Sequence, residues 1–316
     1  MEYKNLGRSG LQVSVVGLGC NNFGMRCDKD QTAAVVHKAL ELGITFFDTA
    51  DIYGGAGKSE EFLGSALEGR RHNVVVATKF VGPTGEGPLN RGASRRHIVQ
   101  AVEASLHRLG TDYIDLYQIH FPDVTTPIEE TLRALDDLVH AGKARYIGCS
   151  NFAGWQVAEA QWTARANHLS PLVSAQNEYN LLDRRIEREL VPACQEYGLG
   201  VLPYFPLASG FLTGKYRPGE PAPQGTRLAL WGQRGAEVLS ERNFAILQKL
   251  ESFAQPRGKS MLELAIGWLA SQPHVPSVIA GATRPEQVEQ NVAAAGWRLT
   301  PEELAEVDTA TRREGA

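Results

Sequence analysis

Cysteine is scarce. Cys20, Cys27, Cys149 and Cys194 are scattered along 316 residues and form no CxxC pair, which fits a reducing, cytoplasmic setting. A strong excess of one charge is also missing. The formal net charge is -4, no run of Lys or Arg is longer than a pair, and no basic stripe is left to attract nucleic acid. No apolar stretch approaches the roughly 18–20 residues needed to span a bilayer. The polar start, Met1-Glu2-Tyr3-Lys4-Asn5, has no signal-peptide core. No His/Cys/Asp cluster has metal-ligand spacing, so no metal is expected. Low-complexity segments and clear linkers are lacking too, which makes residues 1–316 one expected domain. On these absences neither a nucleic-acid partner nor a membrane partner is expected.

What is present is a regular alternation of strand-like and helix-like segments. Residues 3–14 read as a hairpin turning at Gly7-Arg8-Ser9-Gly10. Eight strand candidates follow, at residues 15–19, 45–48, 74–79, 114–120, 144–150, 172–176, 200–205 and 277–281. Most are nearly continuous apolar runs, as parallel strands covered on both faces should be. Between them, Ile98, Val102, Leu106 and Leu109 form one helical stripe, and Leu262, Ala265, Ile266 and Leu269 another. Capping boxes are predicted at Thr126-Pro127-Ile128-Glu129 and at Thr300-Pro301-Glu302-Glu303. The βαβ rhythm, counted to eight, favours a closed (β/α)8 TIM barrel over an open sheet. Residues 216–231, rich in Pro, Gly and Arg, read as a loop inserted between barrel strands 7 and 8 and lying over the barrel mouth.

Four polar residues fall where such a barrel keeps its chemistry. Asp48, Lys79 and His120 each close a strand, and Tyr53 follows Asp48 in the Gly-rich loop Asp51-Ile52-Tyr53-Gly54-Gly55. Parallel neighbouring strands bring all four to one rim. Singly, each has an ordinary explanation: a turn aspartate, a packed phenol, a rim lysine, a core histidine. Together they form a proton donor. A free tyrosine is a poor acid near neutral pH, with a pKa of roughly 10. An adjacent ammonium is expected to lower it, Asp48 to hold that ammonium charged, and His120 to orient a substrate oxygen. A carbonyl that receives hydride is such a substrate.

A Gly-rich stretch also follows the first barrel strand, Gly17-Leu18-Gly19-Cys20-Asn21-Asn22-Phe23-Gly24. A dinucleotide fingerprint requires glycine where Asn22 stands, and no helical pattern begins until about Thr32. A Rossmann domain is therefore rejected. Cys20 and Cys149 are both read as small buried hydrophobes.

The segment Phe47-Asp48-Thr49-Ala50-Asp51-Ile52-Tyr53-Gly54, followed by Ser59-Glu60 and Leu63-Gly64, resembles the first signature of the aldo-keto reductase superfamily, specifically its bacterial members. Residues 127–152, with Gly142-Lys143-Ala144-Arg145-Tyr146-Ile147-Gly148 and Ser150-Asn151-Phe152, resemble the second. The resemblance covers nearly the whole chain and implies an NAD(P)H-dependent carbonyl reductase. Tyr53 would be the general acid, tuned by Lys79 and Asp48, with His120 as the orienting partner. By the same resemblance Ser150, Asn151 and Gln176 would hold the nicotinamide carboxamide, and Tyr204 would stack on its ring. Pro206, Leu207, Ser209, Gly210 and Lys215 belong to a segment that would fold over the pyrophosphate. Gly281, Thr283, Arg284, Gln287 and Asn291 would face the adenosine end. Thr283 and Glu286 also suit a helix cap.

Two positions depart from the pattern. Many family members carry lysine where Gly281 stands and arginine where Gln287 stands. Arg284 is then the cation left in that segment to bind a 2'-phosphate, and the resemblance leans to NADPH, with NADH as the alternative. Phe23, Phe80, Phe121 and Trp231, together with Tyr53, are the candidates to line the carbonyl pocket. Two other activities lie within reach of the superfamily. One is NAD(+)-dependent oxidation of a sugar or polyol alcohol. The other is a slow-turnover, nucleotide-sensing regulatory subunit of a potassium channel. Nothing ahead of the hairpin resembles the extended tail of some such subunits, so the reductase reading leads.

Overall fold

The computed structural model describes residues 1–311. An antiparallel hairpin comes first, β1 (Tyr3–Asn5) with β2 (Gln12–Ser14). Eight strands follow: β3 (Val16–Gly19), β4 (Phe46–Asp48), β5 (Val75–Phe80), β6 (Ile114–Ile119), β7 (Ala144–Ser150), β8 (Leu172–Glu178), β9 (Gly200–Tyr204) and β10 (Val278–Gly281). They form one parallel sheet in the order β10-β3-β4-β5-β6-β7-β8-β9. β9 and β10 lie side by side without a ladder among the described residues, so the barrel is nearly closed. With helices between the strands, this is the (β/α)8 barrel the alternation predicts.

Successive strand residues face opposite sides, and this sorts the core into two layers. Phe46, Val75, Ala77, Leu116, Leu202 and Ile279 fill the barrel interior, and Leu6 and Val13 of the hairpin join them. The hairpin is therefore a plug at one end of the barrel. Phe47, Val76, Phe80, Tyr117 and Val201 point the other way, into the larger shell between barrel and helices. The helix Arg95–Leu109 shows how that shell is met. Ile98, Val102, Leu106 and Leu109 form its buried face, Ser94 accepts from the His97 amide, and Gly110 ends it in the left-handed region.

Several boundaries differ from expectation. β5 runs one residue further, β8 two further, and β9 stops at Tyr204 because Phe205 takes a φ of +52°. The capping box at Thr126 does not form. The helix starts at Ile128 behind Pro127, and the Thr126 hydroxyl donates to Asp123 instead. The box at Thr300 is present, with the Thr300 amide on Glu303 and the Glu303 amide on Thr300. The segment between β9 and β10 is more than a loop. After the coil it carries the helices Arg227–Leu230, Gln233–Val238, Glu241–Ala254 and Met261–Ser271. Among the described residues, no helix is long and apolar enough to cross a membrane, and no group of three or more His, Cys, Asp or Glu is arranged for a metal.

Candidate active site

Strand alternation decides which groups reach the barrel interior. Asp48 ends β4, Lys79 stands next to last in β5, and His120 follows β6, its amide still bonded to Phe80 O at 3.0 Å. Tyr53 opens a one-turn helical segment, Tyr53–Ala56, that leaves the helical region at Gly54 and Gly55. Gly54 has a φ of +73°, and a Cβ there would sit 2.6 Å from Phe23 O, so the turn that presents Tyr53 requires glycine.

The buried centre is an ion pair. Lys79 Nζ donates to Asp48 Oδ2 at 2.6 Å and to Thr49 O at 2.9 Å, and the lysine side chain is wholly buried. Asp48 Oδ1 accepts from Gln176 Nε2 at 2.8 Å and from Gln118 Nε2 at 3.2 Å. Three donors thus fix this carboxylate, and a backbone carbonyl helps hold the ammonium beside it. Burial works against the charge on Lys79, yet Asp48 and Tyr53 outweigh it and hold the ammonium above its usual value. The ammonium also lies 5.1 Å from the centre of the Tyr53 ring.

The direction for Tyr53 differs from the expectation. Burial pushes its phenol above the ordinary value, and Lys79 pulls it down without overcoming the burial. Lys79 thus limits a desolvation cost rather than producing a strongly acidic phenol. His120 is pushed down to about 2 by burial and by the Lys79 charge, so it is neutral at physiological pH. Its ring meets Tyr53 edge-on at 5.7 Å and stacks on Phe121 at 4.3 Å. Cys20 lies beside the pair, and burial raises its thiol well above the usual value, as it does for Cys149. Neither is a ready thiolate.

These groups stand at one end of a cavity of about 510 Å³ that reaches β10. Its wall includes Asp48, Tyr53, His120 and Phe121 and, further along, Ser150, Asn151, Gln176, Tyr204, Pro206, Leu207, Ser209, Gly210, Lys215, Gly281, Thr283 and Gln287. Asn151 sits in the left-handed region at φ +61°. It donates to His120 O at 3.0 Å and accepts from Tyr204 OH at 2.8 Å. That strained residue joins the ends of β6, β7 and β9. A second strained stretch, Phe205, Ala208 and Ser209, all at positive φ, turns the chain over the cavity.

Other predicted residues lie elsewhere. Phe23 and Phe80 are fully buried in the outer shell. Phe80 faces outward because Lys79 faces inward. Trp231 is not in the wall and packs edge-on to Phe205 at 5.6 Å. Asn291 is buried in the helix Pro285–Ala294. Arg284, at the cap of that helix, is largely exposed and lies 3.9 Å from Glu286. The Gln287 side chain accepts from the Thr283 amide and hydroxyl, so this pair closes the turn. Glu286 makes no such cap; it faces Arg284.

The cations that reach the cavity are Arg26, Lys215 and Arg227. Of these, only Lys215 is marked out by the sequence. Arg227 sits in the segment recognised as a cover for the mouth, and the arginine content of that segment is the signal that could have found it. Arg227 is pushed down by burial and then by Arg26, and Lys215 by burial and then by both arginines. Among the described residues, none of the three has an acidic partner. Such a cluster suits a polyanion.

Residues 15–312 match the model of the Aldo/keto reductase family. The chain belongs to this family. It is 41% identical to a probable voltage-gated potassium channel subunit beta of Oryza sativa subsp. japonica, over 98% of the chain and 96% of the relative. It is 37% identical to versiconal hemiacetal acetate reductase of Aspergillus parasiticus, over 96% and 95%. It is also 37% identical to L-glyceraldehyde 3-phosphate reductase of Escherichia coli K12, over 98% and 92%. Aldo/keto reductases are oxidoreductases that act on small carbonyl compounds and generally use NAD(P)H.

Proposed function

We propose that the protein reduces an aldehyde or ketone to the alcohol, with NADPH as cofactor and Tyr53 as general acid, in the cytoplasm. The observation that carries this reading is the buried Asp48–Lys79 pair beneath Tyr53, at the end of a cavity whose other wall holds three cations without acidic partners among the described residues. A dinucleotide fits that wall. Arg26, Lys215 and Arg227 would hold its phosphates, and Ser150, Asn151 and Tyr204 would meet its nicotinamide end. The bound cofactor supplies hydride to the carbonyl carbon.

The chain's own residues manage the proton. His120, neutral, holds the carbonyl oxygen through a ring nitrogen. As charge grows on that oxygen, Tyr53 gives it the phenolic proton and becomes a phenolate. Lys79 stabilises the phenolate, and Asp48 keeps Lys79 charged and aimed. Carbonyl, hydride and one proton thus become the alcohol. Phe121 and Phe205 offer an aromatic wall to the substrate's apolar part.

Purified protein titrated with NADPH and NADH by fluorescence, then mixed with benzaldehyde while absorbance is followed, tests the reading. Tighter NADPH binding with consumption supports it. Binding of neither nucleotide overturns it. A second reading is favoured by the 41% identity to the rice relative. On that reading the barrel senses nucleotide for a channel, and NADPH binds tightly while a panel of aldehydes is left unreduced. The same site run backwards would oxidise a sugar or polyol alcohol, which NAD(+) with such an alcohol would reveal.

A further inference from the structure

Beneath the candidate site lies a carboxyl group that the proposed mechanism does not use. Asp51 is fully buried two residues before Tyr53, and neither of its side-chain oxygens has a hydrogen-bond partner. The nearby Ile52 amide pulls the group down, but less than burial and Glu60 push it up. Its backbone is well placed, since the Asp51 amide donates to Lys79 O at 3.2 Å and the Tyr53 amide to Ala50 O at 3.1 Å. Asp51 therefore belongs to the turn that ties the general acid to the strand carrying Lys79.

The charged groups around it are few, and their partners are known. From the helix Lys58–Ala66 comes Glu60, from the helix Arg95–Leu109 Arg108, from β5 Lys79, and from β6 the Tyr117 hydroxyl, itself unpartnered. Glu60 accepts from Thr78 Oγ1 at 2.5 Å and from Arg108 Nε at 2.6 Å. Lys79 is held by Asp48. Three buried carboxyls, Asp48, Glu60 and Asp51, thus share two cations. Two are met by strong donors, and the third has none. A buried carboxylate without donors is far costlier than a buried carboxylic acid, so the spare proton resides on Asp51.

We infer that Asp51 is a positioning residue for Tyr53 that acts as a neutral carboxylic acid: uncharged, it leaves Lys79 balanced by Asp48 alone, and on losing its proton it makes Tyr53 a weaker acid. Burial and then the Glu60 charge raise the group to about 8, which puts the loss within reach of ordinary assays. This inference rests on Tyr53 as general acid. The two fail differently, because undiminished turnover by Tyr53→Phe would remove the acid without touching the state of Asp51.

The test compares the full-length protein with Asp51→Asn, which keeps shape and removes the charge. The unfolding equilibrium in denaturant and kcat with NADPH and benzaldehyde are followed between pH 5 and 10, and the tyrosinate absorbance of Tyr53, referenced to Tyr53→Phe, is carried on to about pH 12 because burial holds that phenol above its ordinary value of roughly 10. The raised group stabilises the wild type fully below the unfolded-state value of about 4, and that advantage is lost as pH rises through about 8. The unfolding constant of wild type relative to Asp51→Asn should therefore climb up to about tenfold per pH unit across the interval. Tyr53 should ionise at lower pH in Asp51→Asn, and kcat should hold above pH 8 where that of the wild type declines. Glu60→Gln, which removes the neighbouring charge, should move the wild-type decline to lower pH. Parallel stability curves, or an unchanged Tyr53 titration, would overturn the inference.

Discussion

Arg227 donates to the side-chain oxygen of Asn22 at 2.9 Å, joining the cover over the cavity to the loop after β3. Arg26 answers in the opposite sense, giving a hydrogen bond to Gly225 O at 3.1 Å. The cover is therefore fastened by two of the three cations that line the cavity. Arg227→Ala should weaken NADPH binding by roughly tenfold or more, as loss of a charge-assisted contact worth about 1.5–3 kcal/mol would. Arg284→Ala should change it far less, because Arg284 stands outside the cavity wall. Nucleotide titration of the two variants checks the ranking, and the reverse order would return the phosphate site to the β10 end.

The alternation that turns Lys79 into the barrel turns Phe80 out of it. Carrying that rule one residue further along the sequence removes Phe80 from the pocket. The eight strands and four rim residues were legible because apolar runs and strand ends are local signals. Arg26 and Arg227 were not, since coil has no period and their meeting spans 199 and 205 residues. The phenol's direction was not legible either. It depends on how deeply Tyr53 is buried, which the order of residues along the chain does not contain.

Lys79 and Asp48 form one unit, so removing either partner should cost more than removing both charges. Lys79→Met leaves Asp48 a buried carboxylate with only the two glutamine amides as donors. A loss of about 3–5 kcal/mol is expected. Lys79→Met combined with Asp48→Asn should recover part of it. Denaturant unfolding of the single and double variants measures the coupling, and additive losses would show that the pair is not a unit.

His120 makes a separate contribution to acid sensitivity. In the folded chain it takes up a proton only at about 2, whereas in the unfolded chain it does so near roughly 6.5. Between these values the unfolded state holds the extra proton, so stability falls as pH drops below about 6.5, by up to about 1.4 kcal/mol per unit. His120→Gln lacks this term. Its stability measured against wild type from pH 7 to pH 4.5 should therefore improve as pH falls, and a constant difference would mean that His120 takes up its proton as readily in the folded chain as in the unfolded one.

The hairpin plug rests on one glycine. Gly7 has a φ of +59°, and a Cβ added there would stand 2.4 Å from Gly198 O, 2.7 Å from the Gly200 amide nitrogen and 2.8 Å from Val173 O. All three are backbone atoms of the barrel end, so none can swing aside as a side chain would. The Arg8 amide also donates to Gly198 O at 2.8 Å, which fixes the turn against the same strand entrance. Gly7→Ala should therefore lift the hairpin and loosen Leu6 and Val13 from the barrel interior. Strain and lost burial together should cost about 1–3 kcal/mol. The site lies at the opposite end of the strands, so kcat/KM per folded molecule should stay near that of the wild type. A variant as stable as the wild type in denaturant would show that the plug adds nothing to the fold, and one that folds normally but loses turnover would tie the barrel floor to the chemistry at its mouth.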